Sequence, residues 1–560
     1  MDNYAIADQL SLLSKLMDIH GENAFKSKSY SSAAFAIEKL PQPIADLPHE
    51  KIFAIRGIGE SVGKKIVELL QDGELKALQQ LIAQTPEGVL EMMNVKGLGP
   101  KKIHVLWKEL HISNLEELKE ACLQHKIAAT KGFGEKTEQN ILEAIHFLQQ
   151  NTGLYRYAQV ESFAEALQQK LQLHFSEHQF SLTGEFRRQL EVIQQLEWVT
   201  TANKSELKRF FDDEQFTLVA EGDDFVDIIA NDALKLKFYL TDTTNYARIL
   251  FITSCSAEFV LAIEQSLAWK TNENVASEED LCAHLGLQYI PPYLRENPKM
   301  IQLAQQKNLP QVVQTADIKG LIHSHSNWSD GAHTIEEMAQ ELIRLGYEYM
   351  VISDHSKAAY YANGLSEQRI REQHNYIDAL NEKLAPFKIY KSIECDILSD
   401  GALDYSDKVL STFDLVIASI HSNLQMPEEK AMMRLLGAIN NKYITILGHM
   451  TGRLLAKRKG YPVDHKMIID ACAANHVVIE INAHPARLDM DWRWIDYALE
   501  KGVQLSINPD AHSFDDMHLI KYGVLVAQKG GLTKEQNLSS KSQKEFETFL
   551  QNLRQLKGIG

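Results

Sequence analysis

Cysteine is sparse in this chain. Five residues, Cys122, Cys255, Cys282, Cys395 and Cys472, are scattered over 560 positions with no C-x-x-C pair. An odd, widely spaced set suits reduced thiols in a cytoplasm, and the plain role of small buried hydrophobe is expected of each. The chain also lacks an apolar stretch of membrane-spanning length, and its start, MDNYAIADQLSLLSKL, has no basic segment leading into an apolar core. A soluble cytoplasmic protein with no membrane partner is therefore expected. A surplus of basic residues is missing too. The net charge of −17 argues against coating nucleic acid through overall charge, because phosphate affinity comes from basic groups that release counterions. Local phosphate contacts through stretches such as KGLGPKK and GRLLAKRKG remain open.

The length is enough for about three or four domains with sizeable cores. Between Asp317 and His512 lie seven apolar, strand-like runs whose ends are rich in metal-binding residue types. IHSHSNWSDG carries His323 and His325, two apart and so expected on one side of a strand, with Asp330 following. YEYMVISDHS ends at His355, IYKSIECDIL carries Glu394, LVIASIHS ends at His421, ITILGHM carries His449, and VQLSINPDAH ends in Asp510 and His512. A further run, VVIEINAHP, also ends in polar residues. Helical patterns such as TIEEMAQELIRLG, EKAMMRLLGAINN and HKMIIDACAAN lie between several runs. The β-then-α alternation predicts a parallel sheet or barrel whose strand ends converge on one rim. A single histidine is more often structural than a ligand, but clustered His and Asp at strand ends is diagnostic of a metal site.

The first 150 residues read as helical, with three related turns: Gly57-Ile58-Gly59, Gly97-Leu98-Gly99 followed by Lys101 and Lys102, and Gly132-Phe133-Gly134. Each precedes an amphipathic helix. Glycine allows close backbone approach, and the amides of a helix start can hold a phosphate oxygen. One such turn could be a packing feature, whereas three in series point to DNA backbone contact without sequence readout, in the manner of helix-hairpin-helix elements.

Almost end to end, the chain resembles the bacterial family X DNA polymerases, in which a polymerase-beta-like half precedes a PHP (polymerase and histidinol phosphatase) domain. The resemblance implies a multidomain fold. Residues 1–150 form an all-α helix-hairpin-helix domain, 151–315 an α+β palm and fingers with a linker, and 316–560 an α/β PHP domain built as a distorted (β/α)7 barrel. It also implies a rigid extended spacer at Pro291-Pro292, and a lyase role for Lys65 that competes with that of a solvated helix lysine.

The palm departs from the family. LTGEFRRQLEVIQQLEWV keeps Gly184, Arg187 and Arg188, but Glu185 replaces a serine, and Gln195 and Glu197 stand at the two aspartate positions. Asp227 is the expected third carboxylate. A neutral amide cannot supply the anionic oxygen that Mg²⁺ prefers, so an inactive polymerase site is expected.

The PHP ligand set, by contrast, is complete: His323, His325, Asp330, His355, Glu394, His421, His449, Asp510 and His512. Nine mixed imidazole and carboxylate donors suit two or three ions of Mn, Zn or Fe, with Glu394 or Asp510 as bridges. Glu394 and Asp510 are the expected catalytic acids, with Arg453 and Arg487 as phosphate contacts and Lys457, Arg458 and Lys459 as a flanking basic loop. Asp354 and Asp396 are expected to orient ligands, and the role of His484 is left open. The implied function is 3′-to-5′ exonucleolytic processing of gapped duplex or 3′ ends in repair, by a monomer. Alternatives are a surviving gap-filling polymerase, a histidinol-phosphatase-type phosphomonoesterase, and a DNA-binding scaffold without catalysis.

Overall fold

Glycine-hydrophobe-glycine turns punctuate the amino-terminal unit, Met1–Thr152, which among the described residues is helical throughout. The structure, a computed structural model, describes residues 3–38, 40, 43–95, 97–151, 153–231, 233–266 and 275–559. Lys96, at the head of the KGLGPKK stretch, lies outside them. Helix Asn3–His20 buries Ile6, Leu10, Leu13 and Met17 on one face, the spacing of an amphipathic helix, against Tyr30, Ala33 and Ile37 of helix Ala24–Glu38. The glycine turns lead into helices Glu60–Asp72, Pro100–His104 and Glu135–Asn151. Gly57, Gly97 and Gly132 have φ of 97°, 91° and 93°, a left-handed backbone that side chains resist. Between the glycines, Ile58 and Leu98 are buried in the core and pin the first two turns.

The second unit is Gly153–Gly560. It begins with a mixed five-stranded sheet, in the order Phe180–Thr183, Leu196–Thr200, Leu234–Leu240, Phe225–Ala230, Phe216–Glu221. Helix Tyr157–His174 covers it, packing Val160, Ala164, Leu167 and Leu171 with Trp198 and Phe238. A small helical core follows, and there the Pro291-Pro292 expectation fails. Pro292–Leu294 is a 3-10 turn between the buried Ile290 and Leu294, because apolar neighbours on both sides draw the segment into the core. The fully buried Arg295 donates to the Ile290 carbonyl and pairs with Glu278 at 2.6 Å.

The rest is the α/β barrel. Gly320–Ser324, Tyr349–Ile352 and Lys388–Lys391 form one parallel sheet. Glu394–Asp396, Ile417–Ser419, Ile446–Leu447, Val478–Asn482 and Leu505–Asn508 form another. Lys388–Lys391 and Glu394–Asp396 are one stave interrupted at Ser392-Ile393, so among the described residues these eight segments make seven staves. A bridge between Ser324 and Ala511 closes the ring. Helix Ile335–Arg344 illustrates the outer layer. A capping box of Thr334 and Glu337 starts it, and Ile335, Met338, Ala339 and Leu342 face the sheet.

Within this unit a buried ion pair joins the five-stranded-sheet region to the barrel. Lys529 Nζ, fully buried, lies 2.8 Å from Glu191 and 2.6 Å from the Gln189 carbonyl, and Trp492 Nε1 donates to Glu191 at 3.0 Å.

Candidate metal centre

Glu394 stands in the middle of the barrel mouth. One carboxylate oxygen lies 3.3 Å from His323 Nε2, 3.1 Å from His421 Nε2 and 3.0 Å from His449 Nε2. The other lies 2.9 Å from His355 Nδ1 and 3.7 Å from His325 Nε2. Asp510 Oδ1 is 3.1 Å from His325 and 3.4 Å from His323. Asp330 reaches His355 at 3.7 Å and His512 at 3.6 Å. All nine expected ligands thus meet in one cluster. Three overlapping sets among the described residues have donor spacings that a metal ion could span: His325, Asp330, His355 and His512; His323, His325 and Asp510; His355, Glu394 and His421.

Strand alternation is not what brings His323 and His325 together. A register shift interrupts the first stave between Leu321 and Ser324, and His323 has φ of 65°. That left-handed residue re-aims the strand, as bulges beside active sites do. Asp510, with φ of 56°, mirrors it on the opposite side of the closing seam. Two non-glycine residues in this region cost on the order of 1–3 kcal/mol each, and such strain concentrates where side-chain direction is functional.

The donors fit a cation. His325 Nδ1 and His449 Nδ1 are buried without a hydrogen-bond partner, and His323 Nε2, His355 Nδ1 and Glu394 Oε2 stand close to one another without hydrogen-bond geometry, a state that native interiors avoid unless another ligand completes it. Burial opposes ionisation of Glu394, yet the imidazoles of His421, His323 and His355 hold its carboxyl well below the usual carboxylate range. Asp510 is likewise held low, against burial, by His323 and His325. Burial disfavours the charged form of His421, but Glu394 and Asp396 raise it to about 10. Such a cluster binds positive charge one way or another. Side-chain exposure falls from the outer pair, His512 at 37% and Asp330 at 26%, to almost nothing at His323, His449 and Glu394, so the cluster opens on the Asp330 side.

Sequence reasoning missed Glu480. Fully buried, it accepts from His323 Nδ1 at 2.6 Å, Asn508 at 2.8 Å and the His449 amide at 3.2 Å, and so orients two ligands at once. The available signal was an acid inside VVIEIN, a strand buried along its whole length. Asp396 holds His421 Nδ1 at 3.2 Å. Asp354 does something other than orient a ligand histidine. It accepts from the Ser326 amide and from the side chains of Ser326, Ser329 and Gln373, which shapes the loop that carries Asp330.

Arg487 faces the cluster, its Nε 3.9 Å from Asp510. Arg453 does not, contrary to expectation. Its donors go to the carbonyls of Arg487 and Leu488 and to Asp491 at 2.8 Å, because the loop that bears Arg487 doubles back over it. Arg458 is likewise occupied, by the Gly452 carbonyl. His484 staples the same loop, accepting from the Ala486 amide, and burial lowers its pKa.

At the palm the donors are altered in more than identity. Gln195 donates to Glu197 at 2.9 Å, and the Tyr239 hydroxyl donates to the same carboxylate at 2.9 Å. Lys237 lies opposite both Glu197 and Asp227 in strand register, with Nζ 3.3 Å from Asp227. Arg187 pairs with Glu278 at 2.5 Å and Arg188 with Glu296 at 2.5 Å, while Glu185 accepts from the Gln194 amide.

On the amino-terminal unit, Gly59, Gly97, Gly99, Gly132 and Gly134 have open space where a Cβ would stand, and Gly57 meets only Ala36 at 3.6 Å. The second turn alone has no acid in the first turn of its helix, which carries Lys101 and Lys102 instead; Glu60 and Glu135 open the other two. Lys102 folds onto the Gly97 carbonyl at 3.2 Å. Lys65 is ion-paired with Glu68 in its own helix.

Comparison with known proteins fits these parts. The family described as "Helix-hairpin-helix domain" matches residues 1–75, the "SAM-like Helix-hairpin-helix tandem" matches 89–146, and the PHP domain matches 322–484. Fold and site thus define a PHP-barrel protein with helix-hairpin-helix modules. The Bacillus subtilis protein named DNA polymerase/3′-5′ exonuclease PolX is 34% identical over 97% of this chain and 98% of its own length, and the chain belongs to that family. A probable phosphatase of Thermoanaerobacter is 25% identical over 42% of this chain and 96% of its own length. DNA polymerase lambda of Rattus norvegicus is 25% identical over 21% of this chain and 20% of its own.

Proposed function

We propose that the barrel is a metal-dependent DNA phosphodiesterase that removes nucleotides from 3′ ends in the 3′-to-5′ direction, and that the palm no longer polymerises. The observation that carries the reading is the convergence of five histidines on Glu394 and Asp510, with Asp330 and His512 beside them, in a chain whose palm has Gln195 and Lys237 among its carboxylates. The name of the Bacillus subtilis relative, which gives both DNA polymerase and 3′-5′ exonuclease, supports the exonuclease half of this reading. The nine residues would hold two or three divalent ions of Mn, Zn or Fe, which when bound would acidify a water and offset the charge of the phosphate oxygens.

The chain's own residues do the rest. Arg487 binds a phosphate oxygen at the rim, and Arg453 positions Arg487 by tying down its loop. Glu480 and Asp396 fix the ring orientation of His323 and His421. Asp330 and His512, on the exposed side, receive the incoming strand. The glycine turns grip the phosphate backbone, with the Gly97-Leu98-Gly99 turn contributing most because no acid opposes it. Lys65 serves as a helix lysine, and the working form is a monomer in the cytoplasm.

The test is incubation of the full chain with 3′-labelled single-stranded DNA, gapped duplex and histidinol phosphate, each with Mn²⁺ and with chelator. Mononucleotide release from DNA that chelator stops is expected, with little turnover of histidinol phosphate. Turnover of histidinol phosphate alone would sink the nuclease reading. No primer extension on gapped duplex is expected with Mg²⁺ or Mn²⁺, since Gln195 offers no anionic oxygen and Lys237 already pairs with Asp227. Robust gap filling would refute palm inactivity.

A further inference from the structure

Two adjacent tyrosines project into solvent beside the metal-donor cluster. Tyr360 is 86% exposed and Tyr361 63%, the one adjacent pair of aromatics among the large exposed apolar side chains of the described residues. Their rings stand 6.1 Å apart and nearly perpendicular. A lone exposed aromatic is unremarkable, but two together withdraw a sizeable apolar surface from packing, which calls for an occupant.

The segment that carries them is rigid, and it begins one residue after the ligand His355. Ser356 bridges to Leu365 and closes the excursion at its base. Gly364 lies so close to the Ser356 carbonyl that a Cβ would sit 1.8 Å from it. Asn363, at φ of 56°, turns the chain, and Arg369 clamps the Asn363 carbonyl at 2.8 Å. The Lys357 amide donates to the Tyr405 hydroxyl at 3.0 Å, the Ala358 amide donates to Asp404 at 2.7 Å, and the Tyr405 hydroxyl caps the Leu365 carbonyl. The tyrosines are therefore held out by a braced loop. Burial and the negative field of Asp396, Glu394 and Asp330 push the Tyr361 phenol up to about 12, so that side chain is within electrostatic reach of the donors.

We infer that Tyr360 and Tyr361 form a stacking platform for unpaired nucleobases next to the phosphodiester presented to the metal donors. The inference rests on the DNA phosphodiesterase reading and assigns base contact at that site to two named side chains. A base inside a duplex already has both faces stacked, whereas an unpaired base offers a free face to an aromatic ring, and such stacking tolerates any sequence. The two tyrosines stand on the excursion that leaves the barrel directly after His355, whose backbone bridges Glu394, so one strand can reach both.

The experiment compares the parent with Tyr360→Ala, Tyr361→Ala and the two Tyr→Phe variants. The first substrate is a strand with unpaired bases at its 3′ end, and the second is the same strand with abasic units at its last two positions. For the base-bearing end, each alanine should raise KM by roughly tenfold and each phenylalanine should leave it at the parental value. With the abasic end, parent and variants should coincide. A 2-aminopurine at the 3′ terminus should lose fluorescence on binding the parent and keep it on binding the alanine variants. Unchanged KM in the alanine variants, an equal rise on both substrates, or no quenching by the parent would overturn the inference. Should the parent quench 2-aminopurine yet hydrolyse no DNA, the phosphodiesterase reading falls while the platform stands.

Discussion

Asp510→Asn should stop DNA hydrolysis while leaving DNA affinity nearly intact. Asp510 Oδ1 serves His323 and His325 at 3.4 Å and 3.1 Å, while Oδ2 accepts from Asn482 at 3.2 Å. An amide preserves that shape but removes the anionic charge that a shared divalent ion needs. Loss of groups that merely orient a ligand costs about 10- to 100-fold, so loss of a direct and shared ligand should exceed about a hundredfold. Gly99→Asp should do the reverse. Open space at Gly99 leaves room for the new side chain, which puts a carboxylate where a phosphate would approach. Affinity for gapped duplex should drop and its salt dependence should change, while cleavage at saturating DNA persists. Release of labelled nucleotide, metal content and a binding isotherm, measured on both variants, separate chemistry from grip. If Asp510→Asn degraded DNA at the parental rate, the assignment of that residue would be wrong.

Lys529→Met should cost about 3 kcal/mol of stability, because it removes the nearest cation from the buried Glu191 carboxylate and leaves it with Trp492 and the more distant Arg493. Burial works against both members of the pair. Lys529, Arg453 and Arg493 nevertheless hold the Glu191 carboxyl down at about 2. An unfolded glutamate titrates near 4.3, so the pair's contribution is complete above that value and is lost as pH falls toward about 2. Urea melts at pH 7 should show the full gap between parent and variant, and the gap should narrow on acidification. Pairing Lys529→Met with Glu191→Gln should recover much of the loss. A single variant as stable as the parent at pH 7 would mean that water reaches Glu191.

The expected donor set was legible because its members lie at or near the ends of apolar runs that strand direction brings to one rim, although the left-handed turn at His323 that aims the first stave was not. Glu480 was not, since it lies within such a run and its partners, His323 and Asn508, are distant in sequence. Arg453 misled because its neighbour His449 is an expected donor, yet adjacency does not fix where a long guanidinium points; the carbonyls of Arg487 and Leu488 claimed it. The loss of the palm aspartates was visible in Gln195. The intrusion of Lys237 needed the strand register that sets it opposite Glu197 and Asp227. Pro291-Pro292 was taken as a spacer on its own stiffness, and the flanking Ile290 and Leu294 overruled it.

The seam that closes the barrel has a consequence for synthesis. His323 contributes from its first stave and Asp510 from just beyond its last, and the Ala511 amide bonds directly to the His323 carbonyl. A growing polypeptide therefore exposes its glycine turns to the cell long before it can cut anything. Because that seam joins the first stave to the last, the nine expected donors cannot meet until the chain has been made as far as His512.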